Sequence, residues 1–121
     1  MVKVYDFKSI PVEARENYYR SIFESLNINE CSLGLLKVII PAQTVAKKHY
    51  HKEHFEIFIF LNGEGEIEIE SADGTYQYKI SKGTIMIVYP GEKHEVKALN
   101  EPLEILATKI PFKPEDKVVE G

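Results

Sequence analysis

Turn-forming residue pairs divide this chain into short segments, which strongly limits the folds available to it. Such pairs occur at Asn62-Gly63, Asp73-Gly74, Lys82-Gly83 and Pro90-Gly91. Between them, the segment 66–70 alternates Ile and Glu, which predicts a strand with Ile inward and Glu outward. Asn-Gly after an apolar run is also a strong hairpin signal. Turns recurring about every 8–12 residues are typical of a β-sandwich or barrel, so we predict an all-β fold.

The predicted strands account for most of the chain. They cover residues 19–23, 33–40, 45–51, 55–61, 66–70, 75–80, 84–89, 94–98 and 103–110. Residues 11–25 remain open between two interpretations. Pro11 and the charged residues after it could begin a short helix, whereas the aromatic and β-branched residues after Asn17 favour a strand. The tail after Pro111 is expected to be poorly ordered at its end.

Length and charge exclude several classes of function. The chain has 121 residues, which predicts a single domain. Its formal net charge is −4 and its pI is about 5.6, so we expect no nucleic-acid partner. We also expect no membrane segment or leader, because no apolar run approaches the roughly 18 residues of a span. The single cysteine, Cys31, excludes an internal disulfide and favours a cytoplasmic protein.

One predicted strand is apolar on both faces. In the segment 55–61, Glu56, Phe58 and Phe60 share one face, and the other face carries Ile57 and Ile59. A strand with two apolar faces is covered on both sides. A second copy of the chain could supply the outer cover, which predicts a homodimer. The alternative is that the N-terminal strand of the same chain folds over this face.

Three histidines and a glutamate occur at spacings that suit one metal ion. His49 and His51 are two residues apart on a predicted strand, so both imidazoles point to the same face. Glu56 and His94 can join them if later strands pair beside the first. Imidazole and carboxylate together form a donor set for Fe, Mn, Ni, Cu or Zn.

The two segments that carry these residues resemble the paired motifs of the cupin superfamily. The first motif is Gly, five residues, His-x-His, three or four residues, Glu, six residues, Gly. His49, His51, Glu56 and Gly63 fit it, and Gln43 replaces the leading Gly. The second motif is Gly, five residues, Pro-x-Gly, two residues, His, three residues, Asn. This motif is matched by Gly83, Gly91 and His94. It is not matched at two positions, where Tyr89 replaces the Pro and Ala98 replaces the Asn.

The resemblance covers about residues 33–110 and implies a small single-domain cupin with the two-motif metal site of germin-like proteins. The implied fold is a double-stranded β-helix, the jelly-roll barrel, with an N-terminal strand or arm over residues 1–32 and a tail over residues 111–121. The implied metal ligands are His49, His51, Glu56 and His94. Glu53 is a rival carboxylate, but the motif places a turn there. His54 is expected in that turn, near the rim of the barrel, and a role behind the ligands or toward substrate is a weaker hypothesis.

The resemblance does not fix a reaction, because cupins include dioxygenases, isomerases, decarboxylases and proteins of unknown substrate. We expect a metal-dependent enzyme of oxygenase or isomerase type that acts on a small molecule. The alternative is a module that binds or senses a small ligand without catalysis. The expected interior lining is Phe58, Phe60, Met86, Val88 and Val96. This apolar lining favours a small, partly apolar or planar substrate, since Arg20 and Lys37 are expected to be solvated surface residues.

Overall fold

Eleven β-strands and no helix make up the part of the chain that the structure, a computed structural model, describes, namely residues 2–113 and 117–119. The strands are β1 (Glu13–Ala14), β2 (Tyr19–Ile28), β3 (Cys31–Ile40), β4 (Val45–His51), β5 (Phe55–Asn62), β6 (Gly65–Ser71), β7 (Gly74–Ile80), β8 (Ile85–Val88), β9 (Lys93–Ala98), β10 (Leu103–Ile110) and β11 (Lys117–Val119). Within these residues, no helix is long and apolar enough to cross a membrane.

The strands form two antiparallel sheets. The six-stranded sheet has the order β1-β2-β3-β10-β5-β8, and the five-stranded sheet has the order β11-β4-β9-β6-β7. Neighbours in sequence repeatedly lie in different sheets, as in a jelly roll. This arrangement confirms the predicted fold class.

Inward-facing side chains from both sheets form the core between them. Along β6, Ile67 and Ile69 are buried while the Glu side chains between them point outward, as the alternation predicts. The expected lining residues are also inside: Phe58, Phe60, Val88 and Val96 are buried, and Met86 packs against them. One face of each sheet therefore packs into the core, although β2 and most of β7 remain partly or fully exposed.

The segment 11–25, for which the sequence allowed either a helix or a strand, contains β1 and the first part of β2 and no helix. β1 pairs with β2, and β2 pairs along its whole length with β3, with a bulge between Ile22 and Glu24. Strand pairing here satisfies the backbone of a segment whose aromatic and β-branched residues suit a pleated sheet. Of the C-terminal tail, residues 117–119 pair with β4. Residues 114–116 and 120–121, which include the end that was expected to be poorly ordered, lie outside the described part.

The hairpin predicted at Asn62-Gly63 is wrong. β5 lies in the six-stranded sheet and β6 in the five-stranded sheet, so the turn carries the chain from one sheet to the other. Gly63 has a φ of 86°, and a side chain there would meet the carbonyl oxygen of Pro102. Glycine is needed at this crossover for both reasons. In contrast, the chain reversal at Asp73-Gly74 does join the paired strands β6 and β7.

Candidate metal centre

Strand pairing brings the candidate ligands together from three strands. His49 and His51 project from the same face of β4. His94, on β9, lies directly opposite His49 in the ladder between β4 and β9. Glu56 comes from β5 in the other sheet, so the cluster forms where the two sheets face each other.

The four side chains are close enough to share one ion. One donor atom from each of His49, His51, Glu56 and His94 lies within 4.8 Å of all the others. His51 and Glu56 are 3% exposed and His94 is 1% exposed, whereas His49 is half-buried. Buried charged or polar donors are expected to have partners, which makes their immediate contacts informative.

Two of the imidazoles are oriented by backbone carbonyls. Nδ1 of His49 is 2.8 Å from the carbonyl oxygen of Lys47, and Nδ1 of His94 is 3.2 Å from that of Glu92. A carbonyl oxygen can only accept, so Nδ1 carries the proton in both rings. The lone pair of each ring therefore lies on Nε2 and points into the cluster. Such fixing of the tautomer through the outer nitrogen is common among histidine ligands of metals.

The inner atoms of the cluster face each other without hydrogen bonds. Oε1 of Glu56 is 2.5 Å from Nε2 of His51 and 3.3 Å from Nε2 of His94. Neither contact has hydrogen-bond geometry, and within the described residues these three buried atoms have no other hydrogen-bond partner. A carboxylate oxygen beside an imidazole lone pair is repulsive unless a cation lies between them. The residues present therefore fit a bound metal ion.

The surroundings of His49, His51 and Glu56 favour the protonation states that a metal requires. Burial, with a smaller contribution from the nearby His94, lowers the pKa of His49 from 6.5 to about 3. Burial also lowers the pKa of His51, with Glu56 opposing the shift. For Glu56 burial acts to raise the pKa, but the charge of Lys109 and the contacts with His51 and His94 outweigh it, leaving the pKa well below its usual range. Neutral imidazoles and an ionised carboxylate are the ligand forms.

The two neighbouring candidates, Glu53 and His54, lie outside the cluster. Glu53 is exposed and pairs with Lys113. His54 is not at the rim, as expected from the sequence, but only 2% exposed, with its ring 3.9 Å from that of His51 between centroids. Because the two planes are inclined by only 32°, the rings stack, and His54 lies behind His51.

A cavity of about 40 Å³ adjoins the cluster. Its walls are mainly apolar, with Leu36, Phe58, Val96 and Ile105 among them. They also include Arg20 and Lys109, together with the ring of Tyr18. The expectation that Arg20 is a solvated surface residue is therefore wrong, because β2 is a full member of the sheet and turns this side chain toward the cavity.

Lys109 was not singled out from the sequence, although its strand alternation indicates its position. In β10 every second residue from Leu103 onward is buried, and Lys109 continues that face after Ile105 and Ala107. Lys37 is likewise buried rather than solvated. Its ammonium donates to the carbonyl oxygens of Phe7 and Ile10 at 2.5 and 3.1 Å.

The sequence profile of the family described as "Cupin domain" matches residues 36–109, which include all four candidate ligands. The chain belongs to the cupin family. Comparison with curated proteins gives no significant match. The cupin assignment agrees with the two facing sheets and with the crossover at Gly63.

Solved structures with the same cupin fold are distant in sequence. KdgF from Halomonas sp. superposes with a TM-score of 0.78 at 17% identity, over 95% of this chain and 98% of that one. The cupin domain of Cnp3 from Schizosaccharomyces pombe gives 0.73 at 19% identity, over 90% and 74%. Oxalate decarboxylase from Bacillus subtilis gives 0.76 at 16% identity, over 95% of this cupin but 31% of the decarboxylase. This chain thus spans about a third of that enzyme's length, and these similarities show the fold alone.

Proposed function

We propose that this cupin is a metal-dependent enzyme that acts on a small molecule, with one divalent transition metal ion held by His49, His51, Glu56 and His94. The observation that carries the proposal is the buried cluster in which Nε2 of His51 and Nε2 of His94 converge on Oε1 of Glu56 without hydrogen bonds. Three imidazoles and one carboxylate suit Fe, Mn, Ni, Cu or Zn.

The environment of the cluster favours catalysis over a closed structural site. A divalent ion bound there would supply Lewis-acid or redox chemistry to a substrate in the adjoining cavity. The chain itself contributes apolar walls, including Phe58 and Val96, which limit access of water to the reacting groups. Backbone carbonyls fix two of the three imidazoles in advance, so little reorganisation is needed when a ligand arrives. Oxygenase and isomerase reactions both suit this arrangement.

The alternative is a module that binds or senses a small ligand at the same site without converting it. The small size of the cavity, about 40 Å³, supports binding of a small molecule under either hypothesis. Turnover distinguishes the two. Protein loaded in turn with Fe, Mn, Ni, Cu or Zn would be tested for O₂ uptake and, by proton NMR, for isomerisation of small hydroxy and oxo compounds. Product formation that is lost in Glu56→Gln supports the enzyme, and binding without product for every metal supports the module.

We further propose that the protein is a homodimer, joined through the outer face of the six-stranded sheet. At the free edge of this sheet, Ile85 and Ile87 are 64% and 56% exposed. They pair across the strands with Ile59 and Ile57, so the exposed apolar surface is continuous. The N-terminal segment covers the same face only further along, where Phe7 and Ile10 contact Lys37. An apolar surface at a sheet edge is typical of an interface between subunits.

A cytoplasmic location is part of the same proposal. The single cysteine, Cys31, is exposed and unpaired. An exposed free thiol is more compatible with a reducing compartment than with an oxidising one. Fractionation of the native cells, with detection of the protein in the cytoplasmic or the extracytoplasmic fraction, would test this.

A further inference from the structure

Lys109 places a buried positive charge beside the candidate metal ligands. It lies directly across the ladder from Glu56, in the pairing of β10 with β5, and is 8% exposed. Its side chain lines the cavity together with His49, Glu56 and His94. A buried lysine is unusual and requires compensation by an anion or by hydrogen bonds.

Nothing in the described part of the chain supplies that compensation at bonding distance. Lys109 faces Glu56, yet the two groups form no ion pair, and Lys109 makes no hydrogen bond to a residue within 2–113 or 117–119. Oε1 of Glu56 is directed instead at His51 and His94. Lys109 therefore does not act simply as the bonded counter-ion of Glu56.

A second cation, Arg20, lines the same cavity from β2. It is half-buried, and it forms no ion pair or hydrogen bond with another described residue. Tyr18 lies on the same wall, with its hydroxyl oxygen accepting a hydrogen bond from Lys117 at 2.8 Å. Among the described residues that line the cavity, Glu56 carries the only carboxylate, so with a divalent ion in the cluster this carboxylate would face that ion and two side-chain cations. The loaded cavity would thus carry an excess of positive charge that favours an anionic occupant.

We propose that the substrate or ligand of this site carries a carboxylate group, which Lys109 and Arg20 bind. This inference rests on the proposed function, because it concerns the same cavity, and it names the class of molecule as small organic acids. Guanidinium and ammonium groups are the usual partners of carboxylates, and Arg can bind them in a bidentate manner. The cavity of about 40 Å³ holds only a few non-hydrogen atoms, since one water-sized group needs about 10–15 Å³. The proposal adds a negative charge to the small, partly apolar or planar substrate that the sequence led us to expect.

The test compares glycolate, a small hydroxy acid, with ethylene glycol, its neutral analogue. Both would be titrated by isothermal calorimetry into Mn²⁺-loaded protein at neutral pH, with manganese content measured in every sample. We expect glycolate to bind and ethylene glycol to bind at least ten-fold more weakly, since hydrogen bonds between charged groups are stronger than those to a neutral hydroxyl. Lys109→Gln should lower the affinity for glycolate by about ten-fold or more, and Arg20→Gln should also lower it. Lys109→Arg, which keeps the charge, should restore much of the affinity.

The control variant is Lys97→Gln, which removes an exposed lysine of β9 outside the cavity and should bind glycolate as the wild type does. Equal affinity of the wild type and a folded, manganese-loaded Lys109→Gln protein would overturn the inference, as would equal binding of glycolate and ethylene glycol. If Lys109→Gln does not fold, the inference is tested by comparing the affinities for glycolate and ethylene glycol in the wild type and in Arg20→Gln. Wild-type protein that takes up no manganese would instead contradict the proposed function, so the two failures are distinguishable.

Discussion

His54 stacks on His51 behind the candidate metal cluster, with their ring centroids 3.9 Å apart. His49 and His94 are oriented by backbone carbonyls, whereas Nδ1 of His51 has no hydrogen bond to a described residue. The orientation of the His51 ring therefore depends on packing, and of the rings around it that of His54 lies nearest. From this relationship we infer that His54 positions His51 and would not itself contact the proposed metal.

We accordingly expect His54→Ala to weaken metal binding by roughly ten-fold, the lower end of the effect seen when groups that orient ligands are removed. His54→Phe keeps an aromatic ring of similar shape and should retain most of the affinity. Competition with a chromogenic chelator measures both. A Phe variant as weak as the Ala variant would show that the imidazole itself, rather than its stacking, is required.

Gln43 has a φ of 56°, in the left-handed region that favours glycine. The cupin motif has glycine at this position, and the backbone N–H of Gln43 donates to the carbonyl oxygen of Leu99 at 2.7 Å. Gln43→Gly removes a strain of about 1–2 kcal/mol and adds chain entropy of roughly 0.5–1 kcal/mol to the unfolded state, so a small net stabilisation is expected. Gln43→Val should destabilise, because a β-branched residue tolerates positive φ poorly. Urea unfolding measures both, and a Val variant as stable as the Gly variant would contradict this account.

The dimer proposal predicts the effect of charge on the exposed edge of the six-stranded sheet. Ile87→Lys places a cation in the proposed apolar interface and should give a monomer at micromolar concentration, whereas wild type should sediment at twice the chain mass of 13.9 kDa. Metal content should be unchanged, since Ile87 points away from the cavity. The matched control, Tyr76→Lys, changes an exposed residue of β7 in the other sheet. A monomeric wild type, or a dimer that persists in Ile87→Lys, would be evidence against this interface.

The pKa of His49 predicts that the metal-free protein is sensitive to mild acid. Burial lowers this pKa from 6.5 to about 3 in the folded state, so between these values the unfolded chain binds more protons. The corresponding stability is fully present above about pH 6.5 and is lost as the pH falls toward 3. A depressed histidine of this kind contributes a slope of up to about 1.4 kcal/mol per pH unit.

Unfolding by urea at pH 7.5 and 5 tests this slope, and Glu56 stays ionised in that range because its pKa is lowered well below 4.5. The metal-free His49→Gln variant should lose less stability between the two pH values than metal-free wild type. The metal-loaded wild type should lose the most, since its ion requires all three imidazoles to be neutral. Equal losses in the metal-free wild type and His49→Gln would contradict the assignment of a buried neutral His49.

The sequence predicts the fold and the cluster well because both depend on local patterns. The limits of β4 and β10 agree with the predicted segments 45–51 and 103–110, since alternation and flanking turn residues determine them. The cluster follows from the two-residue spacing of His49 and His51 and from the motif resemblance. Gly63 shows where local signals fail. A turn within one sheet and a crossover between sheets use the same residues, and only packing against Pro102 distinguishes them.

The charged lining of the cavity is the part that sequence reasoning missed. Lys and Arg are rarely buried, so reasoning from residue type alone assigns Arg20 and Lys37 to the surface and overlooks Lys109. Their actual positions depend on long-range pairing. β10 lies between β3 and β5 and brings Lys109 opposite Glu56, a residue more than fifty positions earlier in the chain. Alternation along β10 indicates that Lys109 faces inward, but it does not indicate that Glu56 lies opposite it.

Metal stoichiometry in two glutamine variants tests the central claim most directly. Glu56→Gln removes the carboxylate of the buried cluster, and Glu53→Gln removes the exposed rival three residues earlier. Each protein would be reconstituted with Mn²⁺ or Zn²⁺, desalted and analysed by elemental mass spectrometry, with circular dichroism confirming the fold. The account predicts one metal ion per chain in wild type and in Glu53→Gln, and strongly reduced metal in Glu56→Gln and in the double variant His49→Ala with His51→Ala. Full metal content in folded Glu56→Gln and in the double-histidine variant, or none in reconstituted wild type, would contradict it.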